Sequence, residues 1–230
     1  MNPKTALIVG TGPGLSASLA RLFTKHGLQV AMASRDPSKL AKLAEETAGI
    51  TFACEATEPE EVAGLFDAVV ATIGAPDIVV YNASARARGP VTDLDPAGVA
   101  RAIAVSAFGG FLVAQQAARL MAARGSGAIL LTGASASVKG YPNSSAFAMG
   151  KFALRGLAQS MARELSPMNV HVAHFVIDGG IRSASRIDPG NNPDSLLDPD
   201  AIAETYWYVA NQHRSAWTWE VELRPWVEKF

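Results

Sequence analysis

A chain of 230 residues, 49% of them apolar, is long enough to bury the core of one large α/β domain and too apolar to stay disordered. Its formal net charge of -1 offers no basic face for nucleic acid or anionic lipid. A single cysteine, Cys54, excludes an intramolecular disulfide and a cysteine-rich metal site and fits a reducing compartment.

The chain opens Met1-Asn2-Pro3-Lys4-Thr5 and runs straight into an apolar strand, without a signal-peptide pattern. No apolar run is read as approaching the ~20 residues that span a bilayer, so a soluble cytoplasmic protein is expected. Ala6 to Val9 is a strand, and Leu15 to His26 a helix closed by Gly27. Val30 to Ala33 is a strand and Pro37 to Glu46 a helix; Thr51 to Cys54 is a strand and Pro59 to Ile73 a helix. Asp77 to Tyr81 is a strand, and helices follow through to Arg124. Ala128 to Thr132 is a strand, Ala146 to Leu165 a helix, and Val170 to Val176 a strand. Pro199 to Asn211 is the last helix and Trp219 to Leu223 the last strand. Strands this uniformly apolar are covered on both faces, and strand–helix alternation demands right-handed crossovers. The expectation is a single domain over residues 1–230: an α/β Rossmann fold, doubly wound, with about seven parallel strands and helices on both faces.

Between the first strand and the first helix lies Val9-Gly10-Thr11-Gly12-Pro13-Gly14-Leu15-Ser16. Glycines permit a tight turn and close backbone approach to a pyrophosphate, and the helix N-terminus beyond offers free N–H groups. In this strand–loop–helix setting the pattern points to a dinucleotide. The loop resembles that of the short-chain dehydrogenase/reductase family, Thr-Gly-x-x-x-Gly-x-Gly: Gly10 and Gly14 match, Val9 stands at the threonine and Ser16 at the last glycine. The resemblance extends along essentially the whole chain and implies a nicotinamide dinucleotide, a small-molecule substrate and a homodimer or homotetramer, with no nucleic-acid or membrane partner.

The second strand ends Ala33-Ser34-Arg35-Asp36. An NAD site places a carboxylate there for the ribose 2′-hydroxyl, whereas Ser34 followed by a guanidinium suits a 2′-phosphate, so NADP(H) is favoured over NAD(H). The competing reading of Arg35 is a solvated charge paired with Asp36. The resemblance further assigns the cofactor Glu55 and Ala56 after the third strand, and Asn82-Ala83-Ser84 at the end of the fourth. It also assigns Asp178, Gly179 and Ile181, in a stretch where Asp178 replaces the family proline and Ser183 the threonine.

The family's catalytic set is Asn, Ser, Tyr and Lys. Lys151 matches the lysine, but Phe147 stands four residues before it, where the tyrosine belongs. Ser106 occupies the asparagine position. Counting back thirteen from Phe147 gives Ala134 at the serine position, with Ser135 beside it. In the enoyl reductase branch the tyrosine precedes the lysine by seven residues, and that position is Ser144. Phenylalanine has no titratable proton, so a carbonyl reduction would draw its proton from water, Ser135, Tyr141 in the loop before the helix, or the substrate. The favoured reading is an NADP(H)-dependent oxidoreductase with a non-standard proton donor. The alternatives are a silent NADP(H)-binding sensor or scaffold, and a structural subunit. His171 and His174 lack partners at ligand spacing, so no metal is expected.

Overall fold

The computed structural model describes residues 3–228; Met1 and Asn2, read above as part of a start without a leader, lie outside them. Seven strands form one sheet: β1 (Thr5–Val9), β2 (Gln29–Ser34), β3 (Ile50–Ala53), β4 (Ile78–Tyr81), β5 (Gly127–Thr132), β6 (Val170–Ile177) and β7 (Glu220–Leu223). Their spatial order is β3-β2-β1-β4-β5-β6-β7, and every pairing is parallel. This is the doubly wound sheet that the strand–helix alternation required. The chain leaves β1 toward β2 and β3, then returns to its other side at β4. That reversal opens a crevice beyond the carboxyl ends of β1 and β4, where α/β folds hold ligands.

Strand alternation divides the core. Ala6, Ile8, Val30, Met32, Ile78, Val80, Ala128 and Leu130 point to one face and meet α1 (Leu15–Lys25) and α7 (Pro199–Ala210). Leu7, Val9, Ala31, Ala33, Val79, Tyr81, Ile129 and Leu131 point to the other. There they pack under α3 (Pro59–Ile73), α5 (Gly109–Arg124) and α6 (Ser145–Leu165). Every residue of β1, β4, β5 and β6 is buried, hence runs that are apolar apart from Thr5, Thr132, His171 and His174.

Three local departures from the sequence reading have physical causes. The segment expected as one helix from Pro37 begins as a 3-10 turn, Pro37–Leu40, and becomes α2 (Ala41–Thr47) only afterward. Asp36 caps that turn, accepting from the Ser38 amide at 3.2 Å. The strand expected at Thr51–Cys54 is shifted one residue earlier, because Ala53 pairs with Ser34 and ends the ladder. Between α4 (Pro96–Ile103) and α5 the helix widens to a π-helical turn at Ala104–Phe108. Tyr81 donates to the Val105 carbonyl within it.

Pro96–Arg124 is in fact long and apolar enough, by composition, to cross a membrane, contrary to the reading that no such run exists. In the fold one side of it is buried against the sheet, through Leu112, Val113, Ala114, Ala117 and Met121, while Phe108 and Phe111 are exposed.

Candidate active site

The phosphate loop is shaped by one close approach. Gly10 has φ +84°, and a Cβ on it would lie 2.4 Å from the Ala83 amide nitrogen, so only glycine fits where β1 meets the end of β4. The Gly10 and Thr11 amides both donate to the Ala33 carbonyl at 3.0 Å, and the Thr11 hydroxyl donates to the Ile8 carbonyl at 2.9 Å. Ser16, standing at the last glycine of the family pattern, donates to the Gly10 carbonyl at 3.1 Å and accepts from Asn82 Nδ2 at 2.7 Å. Asn82 therefore ties the strand end to the loop. Nothing lies within 4 Å of where a Cβ on Gly12 or Gly14 would be, and no side chain caps α1. The first amides of α1 are thus left free for an anion. Gly12 and Pro13, also expected at the cofactor, line neither of the two cavities described next.

Two cavities run along the carboxyl edge of the sheet and share Asn82 and Ser84. The outer one, about 260 Å³, is lined by Thr11, Ser34, Arg35, Glu55, Ala56 and Ala83, among others. The buried Ser34 hydroxyl oxygen in it has no hydrogen-bond partner. Arg35 does not pair with Asp36, whose carboxylate instead meets Lys39 at 3.2 Å and Ser38. An orphan hydroxyl beside an uncommitted guanidinium fits a phosphorylated ribose. Glu55 lines the same cavity and accepts from the Thr57 amide at 3.4 Å.

The inner cavity, about 320 Å³, is lined by Gly14, Leu15, Ala134, Ser135, Phe147, Lys151, Gly179 and Ile181, with others. Phe147 and Lys151 share a face of α6 one turn apart, as i and i+4 residues must. Lys151 is 3% exposed, and its Nζ donates to the Thr132 carbonyl at 2.7 Å. Burial, with help from the Arg86 charge, pushes its ammonium down to about 7. Its Nζ is 5.8 Å from the Phe147 ring centroid, and the Arg86 guanidinium carbon is 4.1 Å from the same centroid. Thr132 is held from behind, where Tyr206 donates to its hydroxyl at 2.9 Å.

The other expected residues divide. Ser135 and Ala134 both reach the inner cavity; Ser137 is occupied by the Ala134 amide at 3.1 Å, whereas the Ser135 hydroxyl has no partner within the described residues. Ser106 does not reach the cavity. It is fully buried in the π-helical turn, 3.4 Å from both the amide and the carbonyl of Ala85, and so braces the loop carrying Arg86. Tyr141 is 42% exposed and is not among the residues lining the inner cavity. The Asp178 carboxylate is 2% exposed and turned toward Arg224 at 3.3 Å and Lys139 at 3.6 Å, leaving only its backbone near the cavity. No cluster of metal ligands occurs among the described residues. His174 packs under the site instead: Glu220 meets its Nδ1 at 3.0 Å, and a Cβ on Gly133 would strike its Nε2 at 2.3 Å.

A sequence model described as short chain dehydrogenase matches residues 4–188. This chain belongs to the short-chain dehydrogenase family. Its members' nicotinamide-dependent oxidoreductase framework is what the two cavities fit. The short-chain dehydrogenase crystallised from Rhodopseudomonas palustris is 33% identical, covers 98% of this chain and 100% of its own, and superposes with a TM-score of 0.85. A metagenomic short-chain oxidoreductase solved in complex with NADP is 26% identical, with 96% and 97% of the two chains covered and a TM-score of 0.84. (+)-Borneol dehydrogenase 1 from Salvia officinalis is 28% identical over 92% of this chain and 88% of its own.

The sequence reading of this short-chain dehydrogenase missed Arg86, Arg186 and Thr132 as site residues. Arg86 lies four residues past Asn82, close enough to a cofactor-side strand end to have been noticed. Arg186 and Thr132 carry no local signal, because only folding brings them to the cavity.

Proposed function

We propose that the protein is an NADP(H)-dependent oxidoreductase acting on a small-molecule carbonyl or alcohol, with a proton source other than a phenol. The observation that carries this reading is the pairing of the two cavities. One offers Ser34 and Arg35 at its ribose end; the other offers Lys151 on the helix face toward the reacting end. The bound dinucleotide would supply hydride exchange. The chain's own residues would bind and orient: Gly14 and the α1 amides the diphosphate, Arg35 the 2′-phosphate, Lys151 the ribose hydroxyls beyond.

Ionisation supports Lys151 as the titrating group. An ammonium held near 7 can give up a proton at neutral pH, which the Phe147 ring cannot. It would reach the substrate oxygen through water or the Ser135 hydroxyl. The same geometry also favours a second reading, a silent dinucleotide-binding sensor or scaffold, because Lys151 is committed to the Thr132 carbonyl and Phe147 fills the tyrosine place.

Phe108, Phe111, Met149 and Phe152 are exposed on α5, its preceding turn and α6. We take this face as the contact of a homodimer working in the cytoplasm. NADPH oxidation assayed against aldehydes, ketones, quinones and enones tests the enzyme reading. Turnover supports it; tight NADPH binding with no turnover on any of them would move the sensor reading ahead.

A further inference from the structure

Four cationic side chains line the inner cavity, Lys151, Arg86, Arg182 and Arg186, and no carboxylate lines it. The three arginines are not equally committed. Arg182 is neutralised by Asp188 at 2.7 Å, Asp198 at 2.8 Å and Asp194 at 3.2 Å, and so fastens the segment over the cavity. Arg86 and Arg186 make no ion pair and no side-chain hydrogen bond with any described residue. Both side chains are exposed at the rim of the cavity, and the backbone beneath each is fixed. Arg86 lies over the Phe147 ring on a loop braced by Ser106. Arg186 closes a turn whose two backbone bonds with Ser183 measure 2.8 and 3.1 Å, and its Nη1 would be 3.2 Å from a Cβ on Gly180.

We infer that Arg86 and Arg186 form an anion-binding subsite for the substrate, and that the substrate class is a carbonyl or alcohol compound bearing a carboxylate. Like charges gathered around one cavity repel each other. Desolvation beside the Phe147 ring, followed by the neighbouring Arg88 and Arg186 charges, lowers the Arg86 pKa, in keeping with a cationic rim that holds no carboxylate. A carboxylate entering between the two forks would supply it through bidentate, charge-assisted bonds.

The dinucleotide's phosphates are the other possible source of negative charge. They have their own places, at the free amides of α1 and at Arg35, whereas Arg86 stands over Phe147 at the reacting end. Phe147 then gains a purpose as an apolar floor beside the carboxylate-bearing body of the substrate. Calling that anion a substrate rests on the oxidoreductase reading; anion binding itself does not require turnover, so the two can fail separately.

The test is calorimetric titration of the NADPH-loaded protein with benzoate and with benzamide, its neutral counterpart, for the unmodified chain and for Arg86→Gln, Arg186→Gln and Arg88→Gln. The expected result is benzoate binding without benzamide binding, weakened about tenfold or more in the first two variants, as the loss of a charge-assisted contact requires. Arg88→Gln retains it, and NADPH affinity is unchanged throughout. Thermal melting confirms that each variant is folded. Equal binding of benzoate and benzamide overturns the proposal, as does benzoate binding that survives both variants. A parallel loss of NADPH affinity in Arg86→Gln and Arg186→Gln also overturns it and gives the arginines to the cofactor phosphates.

Discussion

Lys151 Nζ lies 2.7 Å from the Thr132 carbonyl oxygen, buried behind the one ring, Phe147, that carries no proton to share. Burial of that ammonium, with the Arg86 charge nearby, sets its depressed pKa and with it the fold's pH dependence.

The first expectation concerns stability against pH. The Lys151 pKa is about 7 in the folded chain and 10.5 when unfolded. Between those values the unfolded chain binds more protons, so stability rises with pH across this window and is lowest below it. His174, pushed down to about 4 by burial from 6.5, has the same sign at lower pH: stability falls as pH drops from 6.5 toward 4. Urea unfolding at a series of pH values should show both slopes. Lys151→Met should flatten the upper one; an unchanged slope would mean that Lys151 is not depressed.

Cofactor choice turns on Arg35. Losing a guanidinium–phosphate contact costs about 1.5–3 kcal/mol, or roughly ten- to a hundredfold in affinity. Arg35→Ala should weaken NADPH binding by that factor and leave NADH nearly unaffected. Fluorescence titration with both dinucleotides measures it. Equal effects on the two would remove the 2′-phosphate from the argument.

Gly10 is expected to be intolerant. A methyl group there meets the Ala83 backbone at 2.4 Å with φ held at +84°. Positive φ and overpacking each cost on the order of 1–3 kcal/mol, so Gly10→Ala should lower the unfolding free energy by about 2 kcal/mol or more. It should also abolish dinucleotide binding. Gly14→Ala, with open space around it, should lose binding more than stability.

Much of this was legible in the sequence, for reasons particular to each element. Uninterrupted apolar runs such as Ala128 to Thr132 identify strands buried on both faces, and the spacing of Gly10 and Gly14 between strand and helix locates the phosphate loop. Phe147 and Lys151 could be paired because the helical period alone puts them on one face. The π-helical turn at Ala104–Phe108 has no sequence pattern of its own; it follows from packing, where a Cβ on Gly150 would stand 2.7 Å from Ser106 Cβ. Arg86 over Phe147 is a contact across 61 positions of sequence, and no local period announces it. Tyr141 is near Lys151 in the chain, yet it is half-exposed and outside the cavity lining.

Assembly can be checked independently of catalysis. If the exposed Phe111 and Phe152 lie at a homodimer interface, light scattering coupled to size-exclusion chromatography should give twice the 24.1 kDa chain mass. Phe152→Glu should shift it to the monomer, since a buried unpaired charge is costly there. A monomeric unmodified chain would rule this face out.

The most direct test of the central claim is NADPH oxidation with the best carbonyl substrate, followed from below to above neutral pH, for the unmodified protein, Lys151→Met and Phe147→Tyr. If Lys151 supplies the proton, the unmodified protein turns over and its reduction rate falls as pH rises through about 7. Lys151→Met then loses about a hundredfold or more, the usual worth of acid–base assistance. An unmodified protein that binds NADPH but stays silent at every pH, with activity appearing only in Phe147→Tyr, would contradict the claim.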